Sequence, residues 1–226
     1  MRCRSSRSDR AGPPAHGTLH ARWLSRLGWL ALAGGCGRLD FDVHTAPPGD
    51  ADLGPHLIFV TSSLHSCALG GVTGGDAICQ ARAMAAGLPG TYMAWLADDT
   101  GSPATRMTHH LGVYQLVTGT VIAQGWSDLT DGNLANQIDR TEAGVQLGGV
   151  LCDASQPTCN FVCEGGEVWS NVDGAGNRRA GIVDCAGWTT TGNSTAGNDG
   201  KVNVEWTAGI CTPIGGAFLP IFCVQQ

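Results

Sequence analysis

The side chains here that could bind or react are ten cysteines, acidic residues in polar turns, two adjacent histidines and seven tryptophans. Eight cysteines fall from Cys67 onward, at 67, 79, 152, 159, 163, 185, 211 and 223. An even number in an exported chain reads as four disulfides, and spacing alone leaves roughly 105 connectivities open. Cys152-x6-Cys159-x3-Cys163 matches no common zinc module. His109 and His110 are neighbours rather than four apart, so their rings diverge and form no HExxH-type metal site; they read as loop histidines.

Calcium would need several oxygens from converging turns, and Asp98, Asp99, Asp128, Asp131 and Asn133 are the candidates. Asp128-x-x-Asp131-x-Asn133 is similar to a short calcium loop but lacks a distal bidentate Glu; the other reading is acids solvated in turns. Trp95 and Trp169 sit in strand-like runs and are expected in the core. Trp126 and Trp188 lie in glycine-rich loops, where an indole either stacks on a ligand or plugs the loop. Arg178-Arg179 is the one basic pair after Cys36, either a small anionic or protein contact or a solvated turn. No Gly-x-Ser-x-Gly, Walker loop or dinucleotide fingerprint occurs. The neighbouring carboxylates Asp98/Asp99 and Glu164/Glu167 do not single out a glycosidase pair. Cysteines expected to be oxidised make poor nucleophiles, so no catalytic residue is assigned.

These side chains must be positioned chiefly by the stretch Gly70–Asp98. Gly74-Gly75-Asp76 offers small and acidic residues for a helix start, and Ile78, Ala81 and Ala85 recur on one helical face. Gly87-Leu88-Pro89-Gly90 stops the helix, and Tyr92–Leu96 follows as a strand. Leu57–Thr61 reads as the first strand. Val113–Val117 and Val121–Ala123 flank Thr118-Gly119-Thr120 as a hairpin. Gly125–Asn133 reads as a loop anchored by Trp126, Glu167–Ser170 as a strand entering the turn Asp173–Asn177, and Phe218–Val224 as the closing strand. Between Asn171 and Gly216 little periodicity shows, which predicts long ordered loops held by disulfides and tryptophans.

The block GGDAICQARAMAAGLPGTYMAWLAD resembles the first helix and strand of endostatin-like domains, part of the wider C-type-lectin-like fold. VWSNVDGAGNRR, DCAGWTTTG, EWTAGIC and FLPIFCVQ follow in matching order. The resemblance runs over residues 57–226 and includes uncharacterised bacterial surface lipoproteins. It implies an α+β fold with few short helices, a twisted antiparallel sheet and long disulfide-stapled loops. It further implies that Cys79 pairs with Cys223 and Cys185 with Cys211, leaving Cys67, Cys152, Cys159 and Cys163 unassigned. The Glu-Pro-Asn or Gln-Pro-Asp tripeptides of calcium-dependent sugar-binding relatives are absent, and Trp206 is followed by Thr207-Ala208, so the sugar-chelating calcium site is not carried over. Nor is endostatin-type zinc, since His44 and His56 stand at no matching positions.

Residues 1–35 read as a signal and leader: six arginines by Arg26, then the short apolar run Leu27–Ala33. Ala33-Gly34-Gly35-Cys36 resembles a bacterial lipobox and makes Cys36 the expected lipidation site. The apolar run is too short to span a bilayer. Residues 36–55, rich in Pro, Gly and Asp, read as a tether, and 56–226 as the domain. Removing residues 1–35 takes away six basic residues and one acid, leaving 7 basic against 18 acidic residues, a net charge of −11. That balance argues against nucleic acid, polyanions and anionic membrane surfaces as partners, so membrane contact comes only through the anchor. The expectation is an exported surface lipoprotein of the outer membrane whose domain binds glycan or extracellular-matrix-type protein without catalysis and without a cofactor, calcium being the one candidate. A structural envelope lipoprotein and a surface-polysaccharide hydrolase are the alternatives in function, and a secreted or periplasmic protein released by ordinary signal cleavage is the alternative in location.

Overall fold

A computed structural model describes residues 53–147, 166–209 and 217–226. Cys36, Cys152, Cys159, Cys163 and Cys211 lie outside the described residues, as does the leader. Thr45–Gln226 forms one compact unit, and no helix among the described residues is long and apolar enough to cross a membrane.

The architecture is mixed α+β, with a five-stranded sheet, a two-stranded sheet, one long helix and several single-turn segments. The large sheet has strand order β2-β7-β1-β3-β4, from β1 (His56–Val60), β2 (Tyr92–Ala94), β3 (Tyr114–Leu116), β4 (Val121–Ala123) and β7 (Phe222–Gln225). The resemblance implies an antiparallel sheet, but this one is mixed: β1 runs parallel to β3 and antiparallel to β7. A parallel neighbour needs a crossover, and here the long helix and β2 lie between β1 and β3 in sequence. β5 (Glu167–Trp169) and β6 (Ala196–Asn198) form the small antiparallel sheet.

Strand alternation sends side chains into two cores. Ile58 and Val60 of β1, with Phe222 and Val224 of β7, join Trp95, Tyr114, Leu116, Ile122 and Trp206 on one face. Phe59 and Cys223 point the other way, toward Cys79, Ala83, Trp169 and Trp188. The helix α1 (Gly71–Ala85) covers that second face. It begins three residues earlier than Gly74-Gly75-Asp76 suggests, because left-handed Gly70 (φ 88°) ends the preceding turn. Gly74 and Gly75 serve close approach instead: a Cβ on Gly74 would collide with the Leu69 carbonyl oxygen, and one on Gly75 would lie 2.7 Å from Leu96. Asp76 is likewise no cap. Its Oδ1 accepts from Ala94 N (2.9 Å) while its Oδ2 pairs with Arg106. One turn on, Gln80 Oε1 accepts from Tyr92 N (2.9 Å), so two helical side chains satisfy the open edge of β2.

Glu142 ties the helix to the loop after β1. Its carboxylate accepts from Ser62 N (2.9 Å), Ser62 Oγ (2.6 Å) and Arg82 Nε (2.8 Å). Burial alone would raise this carboxyl, yet the hydrogen bonds from Ser62 and Arg82 outweigh it and hold it below the ordinary range. The stop after α1 falls where expected, with Gly87 left-handed (φ 70°) and Leu88 N bonded to Ala83 O. Gly125–Asn133 is not all loop, since Trp126–Leu129 forms a single turn, α3, after the short α2 (Pro103–Arg106).

Two disulfides are present among the described residues. Cys79 of α1 is bonded to Cys223 of β7, 144 residues away. Cys185 is bonded to Cys67, not to Cys211, across 118 residues. The pairing implied by the resemblance is corrected here by geometry: Cys185 packs beside the 67–70 turn that leads into α1, with a Cα–Cα distance of 6.1 Å. Non-reducing peptide mapping should therefore link Cys79 to Cys223 and Cys67 to Cys185. The double variant Cys79→Ala/Cys223→Ala should lose about 2–5 kcal/mol of unfolding free energy in urea titration.

Candidate functional site

Residues 184–189 have the least usual backbone among the described residues. Cys185, Ala186, Gly187 and Trp188 all have positive φ, at 52°, 53°, 68° and 62°. Together they form one left-handed turn, labelled α4 (Cys185–Trp188). Left-handed backbone costs about 1–2 kcal/mol for each residue carrying a Cβ, and three of these four do.

Several contacts offset that cost. Cys185 is held by its disulfide. Asp184 accepts twice, from Gly187 N at Oδ1 (2.9 Å) and from Trp188 N at its carbonyl (2.7 Å). Trp188 is fully buried, its Nε1 donates to Ala97 O (2.9 Å), and its ring meets Trp169 edge-on at 6.2 Å. Its carbonyl accepts from Gly70 N (3.0 Å), which joins the turn to the entrance of α1.

That junction leaves a pocket of about 360 Å³. Its walls are the first residues of α1 (71–73), the Asp98–Thr100 turn, and Ala186, Gly187 and Thr189. Asp98 is only 7 % exposed. Its Oδ1 accepts from Thr100 N (2.7 Å) and Thr100 Oγ1 (2.6 Å). Asp99, at the rim, pairs with Arg178, which also donates to Asp184 Oδ2 (2.8 Å). The hydrogen bond that Arg178 donates to Asp184, with the charges of Asp184, Asp99 and Asp98, raises the guanidinium above its ordinary value. Behind this ion pair Asn171 Oδ1 and Ser194 Oγ are buried and without hydrogen bonds among the described residues.

The residues singled out in the sequence are mostly spent elsewhere. Trp188 offers no face to a ligand, because the left-handed turn drives it into the core. Trp126 is half-buried, with His109 stacked on it at 4.1 Å and Trp95 tilted against it at 5.8 Å. His110 is not an exposed loop residue: it is 7 % exposed and stacks on His56 at 3.5 Å. Arg179 donates to Gly209 O (3.0 Å). The calcium candidates do not converge. Asp128 Oδ2 accepts from Gln124 N (2.7 Å) and Asp131 Oδ1 from Asn133 N (2.8 Å), each closing its own turn. Among the described residues no three His, Cys, Asp or Glu side chains are placed to hold a metal ion. Of the predicted set, Asp98 and Asp99 line the pocket, and Arg178 is linked to it through Asp99. Sequence reasoning misses the α1 entrance and the turn at Ala186-Gly187; the Cys-Ala-Gly-Trp run holds one glycine, which gives no hint of four left-handed residues.

Compared with known proteins, the chain matches no family model and no curated protein.

A second cluster lies at the small sheet. Asp199, 6 % exposed, has its carboxyl pushed up to about 7, first by burial and then by the charges of Asp139 and Glu167. A carboxyl raised in the folded state binds its proton more tightly there than in the unfolded chain. Its contribution is therefore most favourable below about pH 4 and is lost as pH rises to about 7. Asp199→Asn should remove that loss. Urea titrations at pH 5 and pH 7.5 should show the variant gaining stability over the parent by about 1–4 kcal/mol more at the higher pH. An equal difference at both values would mean Asp199 ionises normally.

Proposed function

We propose that this chain is an exported, lipid-anchored bacterial surface protein with an endostatin-like, C-type-lectin-like domain that binds glycan or matrix-type protein without catalysis. The observation that carries this reading is the Cys79–Cys223 bridge, which ties the first long helix to the closing strand. It is the same staple that the resemblance to endostatin-like domains implies. The pocket beside α1 gives such a module a concave surface. A high acid content and an export-type leader fit an extracellular domain.

A structural envelope lipoprotein is the second reading, and one observation favours it. Neither loop tryptophan presents an open face: Trp188 is fully buried and Trp126 is covered by His109. Binding therefore has to use the pocket or its rim rather than indole stacking.

Two measurements test these readings. The oxidised chain should bind saturably to members of a panel of polysaccharides and matrix proteins, and the binding should survive chelator, since Asp128 and Asp131 are engaged in separate turns. Silence across the panel would favour the envelope role, and loss on chelation would restore a calcium site. In cells, Cys36→Ala should move the protein out of the membrane fraction; its retention there would remove the lipid anchor.

A further inference from the structure

We propose that the Cys67–Cys185 bridge is a redox latch. A dithiol reductant opens it ahead of the Cys79–Cys223 bridge and releases the left-handed turn while the sheet stays folded. The inference goes beyond the reading of the domain as a binding module and does not rest on it.

All four cysteines are buried; the two bridges differ in what covers them. Cys79 belongs to the 15-residue helix α1, and Cys223 to β7, which lies between β2 and β1. Their sulfurs rest on the closing strand and the residue before it, Cys79 Sγ 3.8 Å from Phe222 O and Cys223 Sγ 4.0 Å from Ile221 O. A reductant reaches that pair only when the helix leaves the sheet, which amounts to global unfolding. Cys67 instead lies in the loop before α1, and Cys185 in the left-handed turn. Cys67 Sγ is 3.5 Å from Thr190 O and from Gly192 O, and Cys185 Sγ is 3.5 Å from Asn193 O. The cover over this bridge is thus the strip Thr190–Asn193. Thr190, Thr191 and Asn193 are exposed, and a Cβ added to Gly192 would meet nothing within 4 Å. The strip is bonded back to its own loop: Thr190 N and Thr190 Oγ1 donate to Cys185 O (both 3.1 Å), and Cys185 N donates to Asn193 O (3.3 Å). A surface strip held this way opens locally at far lower cost than the fold as a whole.

What the bridge holds is a turn that backbone sterics oppose. Cys185, Ala186 and Trp188 carry Cβ atoms in left-handed backbone, and the disulfide anchors the first of them to the loop before α1. The other ties are the bonds from Gly187 N and Trp188 N to Asp184, from Gly70 N to Trp188 O, and from Trp188 Nε1 to Ala97 O. They belong to one small unit and are lost together once its anchor is cut.

The chemistry is ordinary thiol–disulfide exchange. A thiolate of the reductant attacks one sulfur, forms a mixed disulfide and expels the other cysteine as a thiolate that takes up a proton. The second thiol of the reductant then displaces the first cysteine, leaving an oxidised reductant and two protein thiols. Ala186, Gly187 and Thr189 form one wall of the pocket beside α1, so the oxidised chain has that wall and the reduced chain loses it.

The test is stepwise reduction of the full chain by dithiothreitol, with alkylation of the released thiols and mass spectrometry of the peptides. Cys67 and Cys185 should be alkylated at dithiothreitol concentrations at least about tenfold below those that release Cys79 and Cys223. At that stage the amides of Gly70, Gly187 and Trp188 should exchange with deuterium about tenfold faster or more, while those of β1 and β7 stay protected. Cys67→Ser/Cys185→Ser should show the same fast exchange with no reductant, which separates this bridge from any other that dithiothreitol reduces. Release of Cys79 and Cys223 first, or of both bridges at one concentration, would overturn the latch. So would unchanged protection of Gly187 and Trp188 after reduction. A variant whose β1 and β7 amides also lose protection would overturn it too, because the sheet would then need this bridge to stay folded.

Discussion

The structure depends on the demand that β1 and β7 be buried on both faces while hydrogen-bonded on both edges. β7 takes β1 on one side and β2 on the other, and β1 takes β7 and β3. A strand so enclosed has no solvent to satisfy stray backbone groups, so its neighbours must sit in register. Ile58, Val60, Phe222 and Val224 supply one core and Phe59 and Cys223 the other. The helix can close the second face only by lying close to β2, which is why glycine stands where Leu96 approaches.

From that packing the pocket follows almost without further instruction. The helix must begin where Gly70 turns the chain, and Gly70 is bonded to Trp188. Trp188 fills the second core only from a left-handed backbone, so the turn that carries it arches over the helix entrance and meets the Asp98 turn. The uncapped first turn and the buried Asp98 carboxylate are thus by-products of how the core is filled. They leave a small concavity bordered by the entrance of α1, by Asp98 and Asp99, and by Ala186 and Gly187.

Local features are legible in the sequence. The apolar β-branched run of β1, the hairpin around Gly119 and the stop at Gly87 depend on neighbours a few residues apart, and periodicity and turn chemistry report those directly. Asp76 reads as a cap in sequence because its true partners, Ala94 and Arg106, lie 18 and 30 residues away. Cys185 shows the same limit: nothing near it distinguishes Cys67 from Cys211 until the turn is folded against the α1 entrance. Trp188 reads as a loop residue because its flanks are glycine and threonine, and only the left-handed turn reveals that the loop delivers it inward. Of the candidate site, Asp98 is within reach of sequence reading; the entrance of α1 is not, since backbone N–H groups carry no side-chain signature.

The placement of β7 also sets an order of events. Its register partners Ile58 and Ala94 lie about 166 and 129 residues upstream, so the loop-closure entropy of nearly the whole domain is spent before the middle of the sheet can zip. Until then β1 and β2 have a gap between them wide enough for a strand, and any extended segment from another chain could occupy it. A protein built this way completes its fold in one late step, when β7 threads between β1 and β2.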